Sequence, residues 1–266
     1  SALTDIFVGL DEPFADSSAI PMYLLAREAR KHVTVALSGD GADEVFGGYR
    51  KYQGELLASK YQSIPHILRR GLIEPLVNRF PENKDNSFLE KLRRLRKFTA
   101  HAGKDSIGRQ IGWMELLNSN ERSEFFLEGK ETFLLDKMLR KFRNESGDED
   151  PMNAMLYADI HIGLPGDMLV KVDRMSMANS LEVRSPFLDH HLIECALAMP
   201  SSYKLAPGKG KYILRKAFAD RLPMEVFSLP KKGFEVPIAS WLTGPLKDLT
   251  LRSIDRELLA KQNIFN

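Results

Sequence analysis

The sequence predicts a mainly α-helical chain that keeps one or two parallel strands of a doubly wound α/β sheet. Three observations carry that expectation. A short run rich in β-branched residues, "HVTVAL" at 32–37, follows a helical stretch and ends in a glycine-rich turn. Strand patterns fade after about residue 50. Helical spacing of apolar residues then recurs to the end of the chain.

Taken in order, "TDIFVGL" (4–10) reads as a short strand. "SSAIPMYLLAREARK" (17–31) reads as a helix, with Ser17 or Ser18 as its cap and Pro21 in the first turn. "HVTVAL" is apolar on both parities after His32, the pattern of a central strand covered on both faces. Strand, helix, strand, turn and helix together form a βαβ opening. Segments near 54–80, 86–101, 105–118, 131–145, 152–180, 189–198, 209–221 and 246–261 then carry helical spacing. "FPENKDN" (80–86) and "NESGDED" (144–150) break the run, the second as an exposed loop or boundary. Residues 1–52 are therefore expected to be sheet-based and 53–266 mainly helical, with no internal repeat.

Composition narrows the classes. With 266 residues, 43% hydrophobic and 28% charged, the chain has enough apolar content for a sizeable core. A net charge of +2 is nearly neutral and argues for no nucleic-acid or membrane partner, and none is expected. The basic run "KLRRLRKF" (91–98) places Leu92, Leu95 and Phe98 at helical spacing, which reads as a helix with one buried and one solvated face. The single cysteine, Cys195, excludes an intrachain disulfide, fits a reducing cytosol and reads as a buried structural thiol within "HHLIECALAM". No run of about 18 apolar residues and no signal segment occurs, so the protein is expected to be cytoplasmic. The opening "SALTDIF" lacks Met, which suggests a processed or truncated product.

The chemistry concentrates in "VALSGDGADEVFGGYRKY" (35–52). In doubly wound sheets ligands bind beyond the carboxyl ends of strands, where "SGDGADE" lies. Gly39 and Gly41 let the backbone turn sharply and approach a ligand, and exposed amides suit a phosphate. Carboxylates repel phosphate unless a cation mediates, and Mg²⁺ bridging Asp43 to a polyphosphate resolves that conflict. A plain turn is the competing reading. The third glycine of a dinucleotide fingerprint is missing, and "GKGKYILRK" (208–216) is no Walker A motif. That segment reads instead as a loop carrying Lys209 and Lys211 into a helix, either as a solvated basic turn or to meet a phosphate. In 164–192, Met168, Leu169, Val172, Met175 and Met177 read as helix packing, while Asp173, Arg174, Glu182, Arg184 and Asp189 read as a buried salt-bridge network or an active-site wall. No zinc-ligand spacing occurs.

Three ordered blocks, "LDEPFADSSAIPMYLLAREARKHVTVALSGDGADEVFGGYRKY", "LPGDMLVKVDRMSMANSLEVRSPFLDH" and "GKGKYILRKAF…RLPMEVFSLPKKGFEVPIASWL", closely resemble the synthetase domain of glutamine-dependent asparagine synthetases. The resemblance spans nearly the whole chain and is strongest at 10–52 and 160–242. It implies an adenine-nucleotide α-hydrolase, or pyrophosphatase-loop, parent fold. It also implies Mg²⁺ and ATP, adenylation of the aspartate side-chain carboxylate with release of pyrophosphate, and attack by glutamine-derived ammonia to give asparagine and AMP. Ser38 and Gly39 match the adenylate-contacting pair. Asp40 stands where the family commonly has a glutamate linked to intermediate formation and amine deprotonation, its carboxylate retracted by about 1.5 Å, one C–C bond. Asp43 matches the metal and pyrophosphate position, and Lys211 the lysine that neutralises phosphate charge. "DSSAIP" matches the amino-acid substrate region, with Ser17 and Ser18 at a helix N-terminus suited to a carboxylate.

Two parts of the family pattern do not occur, the SGGxDS-type ATP loop and the N-terminal glutaminase domain with its cysteine nucleophile. The chain thus resembles the C-terminal part of a larger enzyme, expected to be inactive alone, with an open sheet edge inviting self-association as a homodimer. A related ligase acting on another carboxylate, β-lactam-forming ones included, and a non-catalytic helical binding module are the alternatives.

Overall fold

The computed structural model describes residues 2–79, 87–127, 133–147, 150–229, 233–234 and 236–266. Its elements run α1 (Ala2–Gly9), α2 (Ala19–Ala29), β1 (Val35–Leu37), α3 (Ala42–Phe46), α4 (Arg50–Gln62), α5 (His66–Leu68), α6 (Glu74–Asn78), α7 (Ser87–Ala102), α8 (Ser106–Met114) and α9 (Ser119–Phe125). They continue with α10 (Phe133–Glu145), α11 (Pro151–His161), α12 (Leu169–Met177), β2 (Glu182–Arg184), α13 (His190–Ala198), α14 (Ser201–Lys204) and α15 (Tyr212–Ala217). The chain closes with α16 (Met224–Ser228), α17 (Ile238–Thr243), α18 (Lys247–Ser253) and α19 (Arg256–Gln262). Single π turns at Arg69–Ile73 and Leu164–Met168 join α5 to α6 and lead into α12.

The expected mainly helical chain with two parallel strands is what forms. β1 pairs with β2 in parallel, Val35 opposite Glu182, Ala36 opposite Val183 and Leu37 opposite Arg184. The Ser38 amide extends the ladder by donating to the Arg184 carbonyl at 2.9 Å. β1 is shorter than "HVTVAL" because the His32 and Val33 amides donate to the Ala29 carbonyl and close the end of α2. Val33, Val35 and Leu37 are exposed, so the described residues do not supply the two-sided covering read from the sequence.

Residues 4–9, read above as strand, are helical instead. Ile6 and Leu10, four apart, bury one stripe against Ala19, Tyr23 and Met175, while Phe7 and Val8 face outward. α2 completes this layer with Ala19, Tyr23 and Ala26 at i, i+4 and i+7. Further on, side-chain caps set helix starts: Asp105 accepts from the Gly108 amide, Asp150 from Met152 and Asn153, and Asn118 forms a reciprocal box with Glu121. α3 packs Val45 and Phe46 against Ala196, Leu192 and Phe187. α4 places Tyr52 among Met152, Met155, Leu156 and Leu205, and Tyr61 against Ala102 and Phe98. α3 is therefore fixed on its apolar side by α11 and α13, which leaves its other side for chemistry.

Three smaller expectations are corrected. Cys195 is exposed, because α13 turns Leu192, Ile193 and Ala196 to the core and Cys195 away from them. Met177 is exposed at the end of α12, whereas Val172 and Met175 are buried. The ionic residues of 173–189 form no buried network: Arg174 pairs with Asp11 and Arg184 with Glu182 at the surface, while Asp189 caps α13. The "FPENKDN" break, and residues 148 and 149 of "NESGDED", lie outside the described residues.

Candidate active site

The turn after β1 is built by local rules. Gly41 takes φ +84° at the start of α3, and a Cβ there would run into the Leu188 side chain. Ser38 is tied across the two strands, its Oγ 2.9 Å from Ser185 Oγ, and the Asp40 amide leans on Ser38 Oγ at 3.4 Å. A side chain at Gly39 would meet nothing within 4 Å, so this backbone faces open space. Asp40 is half-buried. Serine, glycine and aspartate thus sit together at the carboxyl end of a strand, where a ligand is expected.

α3 then separates two adjacent acids. Asp43 reaches Lys211 Nζ with its Oδ1 at 3.2 Å. Glu44 turns inward, is buried, and accepts the Tyr49 hydroxyl at 2.7 Å. Burial raises the Glu44 pKa, outweighing the Tyr49 hydrogen bond that lowers it. Burial and the neighbouring Glu44 carboxylate keep the Tyr49 phenol protonated far above its ordinary range. Behind them Asp159 accepts from Tyr52 at 2.7 Å, Lys51 at 2.8 Å and Gln110 at 3.0 Å, which anchors α4 to α11. Sequence reading did not anticipate this layer, since a buried carboxylate within "NAMLYADIH" leaves no local signal beyond its apolar neighbours.

Lys211 is held in an unusual way. Its backbone lies in the left-handed region, φ 52° and ψ 38°, at the start of α15, and its amide donates to the Phe46 carbonyl at 3.1 Å. A non-glycine residue in that region marks a position over-determined by its surroundings, as at functional sites. Gly48 passes so close to the pair that a Cβ there would overlap both Asp43 Oδ1 and Lys211 Cε. The two segments enclose a cleft of about 990 Å³, where Arg50, Lys209, Lys211, Arg215 and Lys216 surround Asp43, the single acid among the described residues that line it. Met224, Phe227 and Leu229 form its apolar wall. Such a charge balance suits a polyanion.

Among the described residues no group of three or more His, Cys, Asp or Glu gathers to bind a metal. Asp43 alone still fits Mg²⁺, which keeps several waters and takes one or two carboxylates plus substrate phosphates.

Ser17 and Ser18 lie elsewhere, before α2. Ser18 is buried, its hydroxyl bonded to Asp16 and Lys171. The Ser18, Ala19 and Ile20 amides donate to Asp16 Oδ1, the Asp16 carbonyl and the Ser17 carbonyl, so they are already engaged. The structure therefore joins Asp43 to Lys211 and keeps Ser38, Gly39 and Asp40 on the adjoining turn. It places the two serines on a separate element.

Comparison with known proteins adds family information. The asparagine synthase family model matches residues 1–266. Asparagine synthetase 1 (glutamine-hydrolyzing) of Bacillus subtilis is 37% identical over 240 residues, covering 90% of this chain and 36% of that protein. A putative asparagine synthetase (glutamine-hydrolyzing) of Mycobacterium tuberculosis is 36% identical over 243 residues, 91% of this chain and 36% of that protein. The amidase chyE of Penicillium rubens is 26% identical over 95% of this chain and 39% of its own length. No solved structure matches. The chain spans about 36% of the length of these two asparagine synthetases. Among the described residues no helix is long and apolar enough to cross a membrane.

Proposed function

This chain belongs to the asparagine synthase family, and from that premise we propose that it carries the adenylate and pyrophosphate side of an ATP-dependent amide ligase. The Asp43–Lys211 pair across a cation-lined cleft is the observation that supports this best. In the whole protein, an oxygen of the aspartate side-chain carboxylate attacks the α-phosphorus of ATP. The α–β phosphoanhydride bond breaks, giving β-aspartyl-AMP and pyrophosphate. Ammonia derived from glutamine then attacks the acyl carbon, loses a proton, and expels AMP to leave asparagine. The parent fold in this reading is of the adenine-nucleotide α-hydrolase type, and a glutaminase domain elsewhere in the whole protein supplies the ammonia. Residues 1–266 alone do not turn over in this reading.

The residues divide the work. Gly39 offers open backbone, and Ser38 a hydroxyl braced by Ser185, to the adenylate. Asp40 accepts the proton from the attacking amine. Asp43 would hold Mg²⁺, which when bound offsets charge on the departing pyrophosphate. Lys211 faces the same charge, its ammonium held at the cleft by Asp43. In the resting chain each of the two neutralises the other. With Mg²⁺ and phosphate bound, Asp43 would face the cation and Lys211 the phosphate, so neither would be left a bare charge.

The test is aspartate-dependent release of pyrophosphate by the whole protein, with AMP and asparagine formed in equal amounts. Release without aspartate, or none with it, contradicts the reading. A second reading is that the same adenylation serves another carboxylate, since a protein named as an amidase is also similar along 95% of this chain. Activity with a different amino acid and none with aspartate would select it.

A further inference from the structure

The turn before α2 is held by a residue 155 positions away in sequence. Lys171 is buried in α12, its Nζ 2.8 Å from Asp16 Oδ2, 2.8 Å from Ser18 Oγ and 3.4 Å from Met168 Sδ. An ammonium has three donors, and these contacts use all of them. Lys171 therefore has nothing left to offer a ligand directly. Asp16 completes the lock, accepting the Ser18 hydroxyl at 2.6 Å and the Ser18 amide at 2.9 Å. Burial pushes the Asp16 carboxyl up, but the bonds from Lys171 and Ser18 outweigh it and hold it below the ordinary range. Ser17 takes no part in these bonds and stands between two residues whose side chains are fixed.

We propose that Lys171 is a positioning residue for the amino-acid substrate. By locking Asp16 and Ser18 it presents the half-buried Ser17 hydroxyl in one orientation. This rests on the ligase reading above, extended to this turn by the resemblance of "DSSAIP" to the family's amino-acid substrate region. A buried ion pair is poor evidence of net stability, since desolvation offsets much of its attraction, but it does fix geometry. The same lysine sits on the helix that leads into β2, so the substrate turn and the nucleotide turn are tied to one element.

The test compares Lys171→Met and Lys171→Arg in the whole protein. Lys171→Met should raise KM for aspartate about tenfold or more, the scale of losing a fixed reacting geometry, while KM for Mg-ATP stays within about twofold. Lys171→Arg keeps a charge and several donors and should restore KM for aspartate to within about threefold of the parent. An unmoved KM for aspartate, or equal changes in both KM values, overturns the proposal. Should Lys171→Met not fold, Ser18→Ala removes one partner and leaves the ion pair; it should raise KM for aspartate by about threefold, the size of one modest hydrogen bond, and no change overturns the proposal. Amide hydrogen exchange at Ser18 separates this from the ligase reading. Parent protein without aspartate-dependent pyrophosphate release refutes that reading alone, whereas unchanged Ser18 protection in Lys171→Met refutes the lock.

Discussion

Replacing Gly48 with alanine breaks the ion pair of the cleft without altering either charge. Gly48 is not among the glycines with positive φ, so alanine suits its backbone. The added Cβ overlaps Asp43 Oδ1 and Lys211 Cε. Carbon and oxygen at ordinary contact lie about 3.5 Å apart, so Asp43 Oδ1 must retreat by more than about 1 Å. Both side chains can do this, since Asp43 is 23% and Lys211 31% exposed. A pair so close to solvent contributes about 0.2–1 kcal/mol, so the melting temperature should fall by no more than about 4 °C. Catalysis is less tolerant: a misplacement of about 1 Å can cost about a hundredfold. Gly48→Ala in the whole protein should therefore lose about a hundredfold in aspartate-dependent pyrophosphate release, read beside a thermal melt. Activity within about threefold of the parent, with an unchanged melt, would refute the assignment of this pair to the reaction.

Two further outcomes follow from the same geometry. Asp43→Asn should raise the Mg²⁺ requirement with partial rescue at high metal, Asp40→Asn should slow the reaction without rescue, and Asp40→Glu should stay substantially active; identical Mg²⁺ titrations for the two Asn variants refute this division. Lys204 is buried with its Nζ on the Ala196 carbonyl, and burial lowers its pKa to about 8. The folded value lies below the ordinary 10.5, so the stability Lys204 contributes is complete above pH 10.5 and is lost as pH falls through about 8. Lys204→Met should flatten that part of the melting profile between pH 7 and 10, and an unchanged slope contradicts it.

The legible parts of this protein were those written locally. The helix of α2, the strand before the turn and the glycines of "SGDGADE" each follow from neighbouring residues. β2 was not legible, because the alternation of "EVR" lasts only three residues, and it becomes a strand only by pairing with β1, 145 residues of chain away from Leu37. α1 was misread since a short apolar run fits either period until its partners, Tyr23 and Met175, are known. The site divides along the same line. Asp43 and Lys211 were each singled out by local chemistry and by resemblance to a family, and nothing near either residue says that they meet. Nothing in the sequence singled out Lys171, and only the fold places it against Asp16 and Ser18. Asp43 and Glu44 are neighbours in sequence, yet α3 sends one to the cleft and the other into the core.

The central claim is that Lys211 meets the charge that grows on departing pyrophosphate. The most direct measurement is aspartate-dependent pyrophosphate release by the whole protein and its Lys211→Ala variant, at saturating Mg-ATP and beside an ATP-binding titration. The account predicts a loss of about a hundredfold or more in the rate, the scale of one preorganised contact, with ATP affinity changed by less than about fivefold. A rate within about threefold of the parent would make Lys211 an ordinary lysine on the rim of the cleft and contradict the account.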